Sequence, residues 1–243
     1  MSQNFSVIFL TKIDSTNNYA KNLINKTGAN EWTVIITDNQ TSGRGQQGNK
    51  WISNPYENLT FSVILTPDFL NPAMQFNLNK TISIAIIDFL KNYIENVFIK
   101  WPNDIYVNDK KIGGILIENI ICGDKYVFCI AGIGININQK KFPNEINESS
   151  TSLIRHTGKK IKVENCLYQI LNCLFRRYNE LKNNNQSIDN EYIKNLYLFQ
   201  KKAKFKIKNN ITEATIKGVD QYGRLILETN NNNILCNFKE VTF

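Results

Sequence analysis

Histidine is nearly absent from this 243-residue chain, with His156 the only one. A histidine-dependent triad or a multi-histidine metal site is therefore hard to build, and His156, followed by Thr157 and Gly158, reads as a surface loop residue. The five cysteines, at 122, 129, 166, 173 and 236, form an odd set with no CxxC pair, which fits neither a disulfide framework nor a zinc site. They read as reduced core thiols of a cytoplasmic protein. Cys166 and Cys173 fall on one face of an expected helix and pack there. Long apolar runs are missing too. Phe5 to Leu10 and Ile82 to Leu90 are short and interrupted, far from the roughly 18 to 20 residues that span a bilayer, so no membrane partner is expected. No basic leader with a small-residue cleavage site precedes them, so no export signal is expected. There are no internal repeats.

Basic side chains outnumber acidic ones by 29 to 21, a formal charge of +8. Such an excess steers acidic partners in from a distance, and nucleic acid is the obvious one. The lysines are scattered, however, apart from doublets such as Lys110 with Lys111 and Lys201 with Lys202. No helix-turn-helix, zinc finger or aromatic ribonucleoprotein motif is found. A basic nucleic-acid-binding protein stays open as the non-enzyme reading. At 42% hydrophobic content the chain has material for one full-sized core and a small appendage.

The most informative stretch is Ser42 to Trp51, SGRGQQGNKW, directly after the strand-like run Thr33 to Ile36. Glycines 43, 45 and 48 let the backbone come close to a ligand and converge amide hydrogens on an anion. Arg44, which reads as buried, adds a guanidinium fork shaped for a phosphate or carboxylate. The stretch satisfies GxGxxG, but that fingerprint requires a helix to start at the last glycine. Here Trp51 to Pro55 is turn-like and Leu59 to Leu65 reads as another strand. The bland alternative is a glycine-rich surface hairpin.

Before this loop, strand-like Phe5 to Leu10 leads into Asp14, Ser15, Thr16 and Asn17, side chains that cap helices well. Tyr19, Ala20, Leu23 and Ile24 recur at helical spacing and Gly28 closes the helix. Ser15 and Thr16 are caps, or else hydroxyls offered to a ligand. After the loop, an amphipathic helix places Leu78, Ile82, Ile86, Phe89, Leu90, Tyr93, Ile94 and Val97 on one core-facing stripe.

The second block is Lys100 to Glu118. Pro102 holds Trp101 extended and ends a strand, with Asn103 and Asp104 in the turn that follows. Ile105 to Val107 and Ile112 to Ile117 read as a hairpin about the turn Asn108 to Lys110. Lys111 enters a strand cleared by Gly113 and Gly114, which suggests an anion site; an edge lysine that discourages aggregation is the alternative. In the third block, Ala131 to Asn138, alternation puts Ile133, Ile135 and Ile137 on one face and Gly132, Gly134, Asn136 and Asn138 on the other. Bare backbone on one face of a sheet would floor a pocket for a flat ligand. Further on, helices are expected over Val163 to Leu181 and Asp189 to Phe199, joined by a polar linker Lys182 to Ser187. Short alternating segments then follow at Phe205 to Lys208, Glu213 to Val219, Arg224 to Thr229 and Ile234 to Phe238. Turn signals at Asn209-Asn210, Tyr222-Gly223 and Asn230 to Asn233 split them. These read as a small β-barrel that packs against the larger domain.

Taken together, Asp14 to Asn17, Gln40 to Gly45, Lys100 to Asp104, Lys111 to Leu116 and Gly132 to Asn136 resemble the biotin protein ligases in order and spacing, over nearly the whole chain. The resemblance implies an α+β fold, a mixed or antiparallel sheet flanked by helices, at residues 1–199, and an SH3-like β-barrel at residues 200–243. It implies a form without the amino-terminal DNA-binding module, so no DNA partner. It implies formation of biotinyl-5'-AMP from biotin and ATP with Mg2+, then transfer of biotin to a lysine of a biotin carboxyl carrier domain; a homodimer is left open. On this resemblance Lys111 and Arg44 are the catalytic cations. Biotin would be bound by Ser15, Thr16, Asn17, Gln40, Gly43, Arg44, Gly45, Gln46, Trp51, Lys111, Gly114, Gly132 and Gly134. ATP would meet Arg44, Gln46, Asn103, Lys111 and Asn136, with Asn103 and Asp104 near the metal and Asn136 at the adenine edge. Many members carry a second arginine where this chain has Gln46. A lipoate ligase or octanoyl transferase is the nearest rival, and the GRG loop with Gln40 and the KWPND block favour biotin.

Overall fold

The computed structural model describes residues 4–183, 187–208, 210–230 and 232–243. In chain order the elements are β1 (Ser6–Ile13), α1 (Thr16–Thr27), β2 (Thr33–Gln40), β3 (Leu59–Leu65), α2 (Phe76–Leu90), β4 (Val97–Lys100), β5 (Asp104–Val107), β6 (Lys110–Cys122) and β7 (Lys125–Ile135). There follow α3 (Asn144–Asn147), α4 (Leu153–Thr157), α5 (Val163–Lys182), α6 (Ser187–Lys194), β8 (Lys202–Ile207), β9 (Asn210–Val219), β10 (Leu225–Glu228), β11 (Asn233–Cys236) and β12 (Val241–Thr242). The first seven strands make one sheet in the order β1-β2-β3-β7-β6-β5-β4. β1 and β2 run parallel and the other pairs antiparallel, so the expected mixed sheet flanked by helices is present.

Alternation along the central strands gives this sheet two unlike faces. On β3, Leu59, Phe61, Val63 and Leu65 point into the large core, and on β7 so do Cys129, Ala131, Ile133 and Ile135. Helices α2 and α5 cover that face. On the opposite face Ile64, Ile130 and Ile35 meet Ala20 of α1 in a small second core. Farther along the same face the apolar cover stops. The next cross-strand row is Ser62 with Gly132, and the one after it Thr60 with Gly134. Helix α1 therefore covers only half of its face, and the bare half is left for the site.

The helix expected to carry Tyr93, Ile94 and Val97 ends at Leu90, and Val97 opens β4 instead; the same apolar residues serve a turn and a core strand. The helix expected over Asp189 to Phe199 starts at Ser187 and stops at Lys194, because the next residues bond to β4: Ile99 N donates to Asn195 O and Tyr197 N to Ile99 O. Arg177, nearly buried, ties α5 to Asp88 of α2 and Glu191 of α6 at 2.7 and 2.8 Å. The polar linker Lys182 to Ser187, and the turns at Asn209 and at Asn230 to Asn233, fall partly outside the described residues.

The last five strands form a separate antiparallel sheet in the order β11-β10-β9-β8-β12. Its outer strands are not paired with each other among the described residues. β12, only two residues long, pairs with β8 through Val241 and Ile207 and was too short to predict. As expected this unit packs on the larger one, and Phe205, Ile216 and Leu225 join the same core as Phe61. The contact is sharpest at Gly223, whose carbonyl accepts Trp101 Nε1–H at 2.9 Å. Gly223 has φ +89°, and a Cβ there would stand 2.5 Å from the Phe76 ring. The Trp101–Pro102 peptide bond at the same junction is cis. All five cysteines are free, and no helix among the described residues is long and apolar enough to cross a membrane. Gly223→Ala is expected to cost about 3 kcal/mol, from left-handed strain plus overpacking against Phe76; urea denaturation measures it, and an unchanged midpoint would contradict this packing.

Candidate functional site

A cleft of about 230 Å³ opens on the bare half of the sheet. Its floor is a cross-strand row running through Thr60 of β3, Gly134 of β7, Gly114 of β6 and Asp104 of β5. Two glycines in the middle leave a trench one side chain deep. The Trp51 indole fills part of it, lying where a side chain at Gly134 would be, with Cε2 2.4 Å from an ideal Cβ position. At Gly132 the same space is taken by Asn17, whose Oδ1 would stand 2.3 Å from a Cβ. Any residue larger than glycine at 132 or 134 displaces these groups, so the glycine-faced strand exists to admit them.

One end of the trench is a hydrogen-bonded network at the start of α1. Ser15 is the helix cap, its Oγ accepting from Asn18 N, so capping is part of its role. Thr16 N and Oγ1 both donate to Gln40 Oε1, at 2.9 and 3.3 Å. Ser62 Oγ lies 2.7 Å from Thr16 Oγ1 and 2.6 Å from Asn17 Oδ1. Asn17 Nδ2 donates to Glu118 Oε2 at 2.7 Å, and Arg44 donates to the same oxygen at 2.7 Å. Hydroxyl, amide and carboxylate groups are thereby held in one connected set with Ser15, Thr16, Asn17 and Ser62 all buried.

The other end is cationic. Lys111 Nζ stands 2.7 Å from Asp104 Oδ1 and 5.9 Å from the Trp51 ring centroid. A Cβ on Gly114 would meet its Nζ at 3.5 Å, so the lysine lies over cleared backbone, as expected. Asn103 Nδ2 donates to Ile115 O at 2.7 Å, and Ile115 N returns a bond to Asn103 O, which pins the turn before β5. Lys100 lies behind, between the Tyr106 and Phe243 rings at 4.8 and 5.2 Å. Burial pulls its pKa below the usual lysine value, with Asp104 opposing. Phe238 and Lys239, in the turn between β11 and β12, close the rim on this side.

The glycine loop forms the lip. It is a hairpin, with Arg44 bridged to Lys50, Trp51 N bonded to Gly43 O, and a 3-10 turn at Gln46–Gly48. The stretch is a hairpin, and residues 44–46 and 49–51 of it border the cleft. Gly43 is required by close approach, since a Cβ would stand 2.4 Å from Trp51 O. Arg44 is not buried. Its side chain is 40% exposed and paired with Glu118, because the hairpin carries it to the rim. Gly45 and Gln46 line the cleft beside it.

Among the expected residues, Asn136 and Gly43 are the two that do not line the cleft. Asn136 follows the end of β7, is 4% exposed, and donates Nδ2 to Thr151 O at 3.0 Å, because the chain turns away toward α4. Gly43 stands on the outer side of the lip. Thr60 lines the cleft, and Ser62 and Glu118 belong to its hydrogen-bonded network, beyond the residues expected from the sequence; Thr60 and Ser62 stand out as polar residues that alternate within the apolar strand Leu59–Leu65. No group of three or more His, Cys, Asp or Glu able to hold a metal ion occurs among the described residues.

The sequence pattern described as Biotin/lipoate A/B protein ligase family matches residues 9–136. A Bacillus subtilis protein described as bifunctional ligase/repressor BirA is 32% identical over 236 residues, covering 92% of this chain and 70% of that protein. The Bacillus spizizenii protein of the same description is 36% identical over 178 residues, 72% of this chain and 54% of that protein. The chain thus corresponds to only part of these curated relatives. Among solved structures, the biotin protein ligase from Aquifex aeolicus in complex with biotin and ATP superposes with a TM-score of 0.79 at 25% identity, over 98% of this chain and 97% of that one. From pattern, relatives and fold alike, the chain belongs to the biotin/lipoate A/B protein ligase family.

Proposed function

We propose that this protein activates biotin with ATP to biotinyl-5'-AMP and passes the biotin to one lysine of a biotin carboxyl carrier domain. The observation that carries the reading is the polarity of the trench. It has hydroxyl and amide groups at Thr16, Asn17 and Gln40, then bare glycine under an indole, then the Lys111 ammonium. Biotin has the same order, a ureido ring, an apolar chain and a carboxylate. A lipoyl or octanoyl chain has no hydrogen-bonding group to offer the first end, where Thr16 and Gln40 would stay unanswered. The names of the relatives and the bound biotin and ATP of the Aquifex protein support the same choice.

The chemistry asks mainly for positive charge. An oxygen of the biotin carboxylate attacks the α-phosphorus of ATP, the bond to the bridging oxygen breaks, and pyrophosphate leaves. Two anions must approach, so fixed cations and oriented amides do most of the work. Lys111 would face the carboxylate and α-phosphate, and Arg44 would turn from Glu118 to the phosphates. Asn103 and Asp104 would offer the one or two oxygens that Mg2+ takes from protein when phosphates supply others; the ion would offset charge on the leaving pyrophosphate. In the second step the neutral amine of the acceptor lysine attacks the acyl carbon and AMP leaves, so no covalent enzyme intermediate is needed. Asn136 would have to exchange Thr151 for adenine. The C-terminal sheet, residues 200–243, would be an SH3-like unit whose Phe238 and Lys239 close the rim above the domain at 1–199. A cytoplasmic setting suits the free thiols.

Lys111→Ala is expected to lower biotin-dependent pyrophosphate release at least about 100-fold with the melting temperature unchanged, and near-normal release would show the assignment wrong. Gln46 keeps a hydrogen-bonding group but no charge, so the adenylate should be held loosely. Gln46→Arg is expected to slow its release, measured by trapping free biotinyl-5'-AMP; equal release rates would remove the idea.

A further inference from the structure

The network at the start of α1 leaves two polar atoms of the cleft unanswered. Trp51 Nε1 and Thr60 Oγ1 are shielded from solvent, and neither has a hydrogen-bond partner among the described residues. Thr60 is 5% exposed as a whole. Both residues line the cleft, and both flank one glycine. Thr60 is the cross-strand neighbour of Gly134, and Trp51 Nε1 lies 2.8 Å from where a Cβ on Gly134 would stand. A buried donor without a partner costs about 1–3 kcal/mol. Two at one place, inside a cleft, mark a spot where a ligand atom completes the bonding.

The identity of that atom follows from the donors. An indole N–H only donates and a hydroxyl can donate, so an atom serving both is an acceptor. The row beyond Gly134 runs through Gly114 to Asp104, over which stands the Lys111 ammonium. An acceptor placed between two neutral donors and facing a cation is best filled by an anion. The ureido end is already supplied by Thr16 and Gln40, one row or more away beyond Ser62 and Gly132.

We propose that Thr60 and Trp51 are specificity-determining residues that read the carboxyl end of the bound acid. One carboxylate oxygen, and after adenylation the acyl carbonyl oxygen, accepts Trp51 Nε1–H and Thr60 Oγ–H. The Lys111 ammonium faces the other carboxylate oxygen and the α-phosphate. This inference rests on the adenylation reading above and assigns that site's own donors to the acid group.

The test compares wild type, Thr60→Val and Thr60→Ser by calorimetric titration without ATP. The ligands are biotin, desthiobiotin, and a biotin analogue ending in methyl instead of the carboxyl group. Valine is nearly isosteric and lacks only the hydroxyl. Biotin and desthiobiotin are expected to bind Thr60→Val roughly tenfold more weakly, while the methyl-ended analogue binds both proteins equally and Thr60→Ser stays close to wild type. The free Thr60→Val protein is also expected to melt no lower than wild type, since an unpaired buried hydroxyl has gone; a purely structural role predicts the opposite. Unchanged biotin affinity, or an equal loss for the methyl-ended analogue, would overturn the inference. Equal loss confined to biotin and absent for desthiobiotin would overturn it too, by pointing to the thioether. A wild type that fails to bind biotin at all would remove the underlying reading, and this inference with it.

Discussion

An indole resting on bare backbone organises this molecule. Trp51 can lie where it does only because residue 134 is glycine, and that contact fixes the glycine hairpin against β7. Once the hairpin is docked, its arginine reaches Glu118, Gly45 and Gln46 line the cleft, and the trench acquires a roof. The floor, in turn, depends on alternation in β3 and β7. The face toward α2 and α5 is uniformly apolar, and the face toward α1 changes from isoleucine to serine, threonine and glycine within two rows. One sheet thus serves as a core wall on one side and a binding surface on the other.

Charge in the cleft is arranged in pairs. Lys111 and Arg44, two of the cations that line the cleft, are each paired with a carboxylate, Asp104 and Glu118. Both pairs are partly exposed, so each is a weak attachment, easily exchanged for the stronger hold of phosphate oxygens. The C-terminal sheet contributes in a different manner. Trp101 hands its N–H to Gly223, and the Phe238 ring lies tilted against Trp101 at 5.2 Å, so the turn at Asn103 that leads into Asp104 of β5 is supported by the C-terminal strands.

Much of this was legible in the sequence, because the informative positions obey local rules. Glycine at 132 and 134 with isoleucine between them announced a one-sided strand, and Gly113-Gly114 beside Lys111 announced cleared backbone near a cation. Five blocks in the right order then made the family recognisable. What was hidden is what depends on distant partners. Arg44 read as buried because its neighbours are glycines, yet the hairpin lifts it to the rim. Asn136 looked like a continuation of the pocket face, but β7 ends at Ile135 and the next residues bond to Ile112 and Thr151. Val97 fitted a helical stripe and became a strand, since apolar spacing does not distinguish the end of a helix from the strand after it. Glu118 could not have been chosen at all. Its role exists only where Asn17 and Arg44, far apart in the chain, converge on one oxygen.

The account is tested most directly by asking which acid makes the wild-type protein release pyrophosphate from ATP in the presence of Mg2+. Biotin should drive release and then label an added biotin carboxyl carrier domain. Octanoate and lipoate should do neither, because neither can answer the polar end of the trench at Thr16 and Gln40. Release driven equally by octanoate or lipoate, or no release with biotin, would contradict the account.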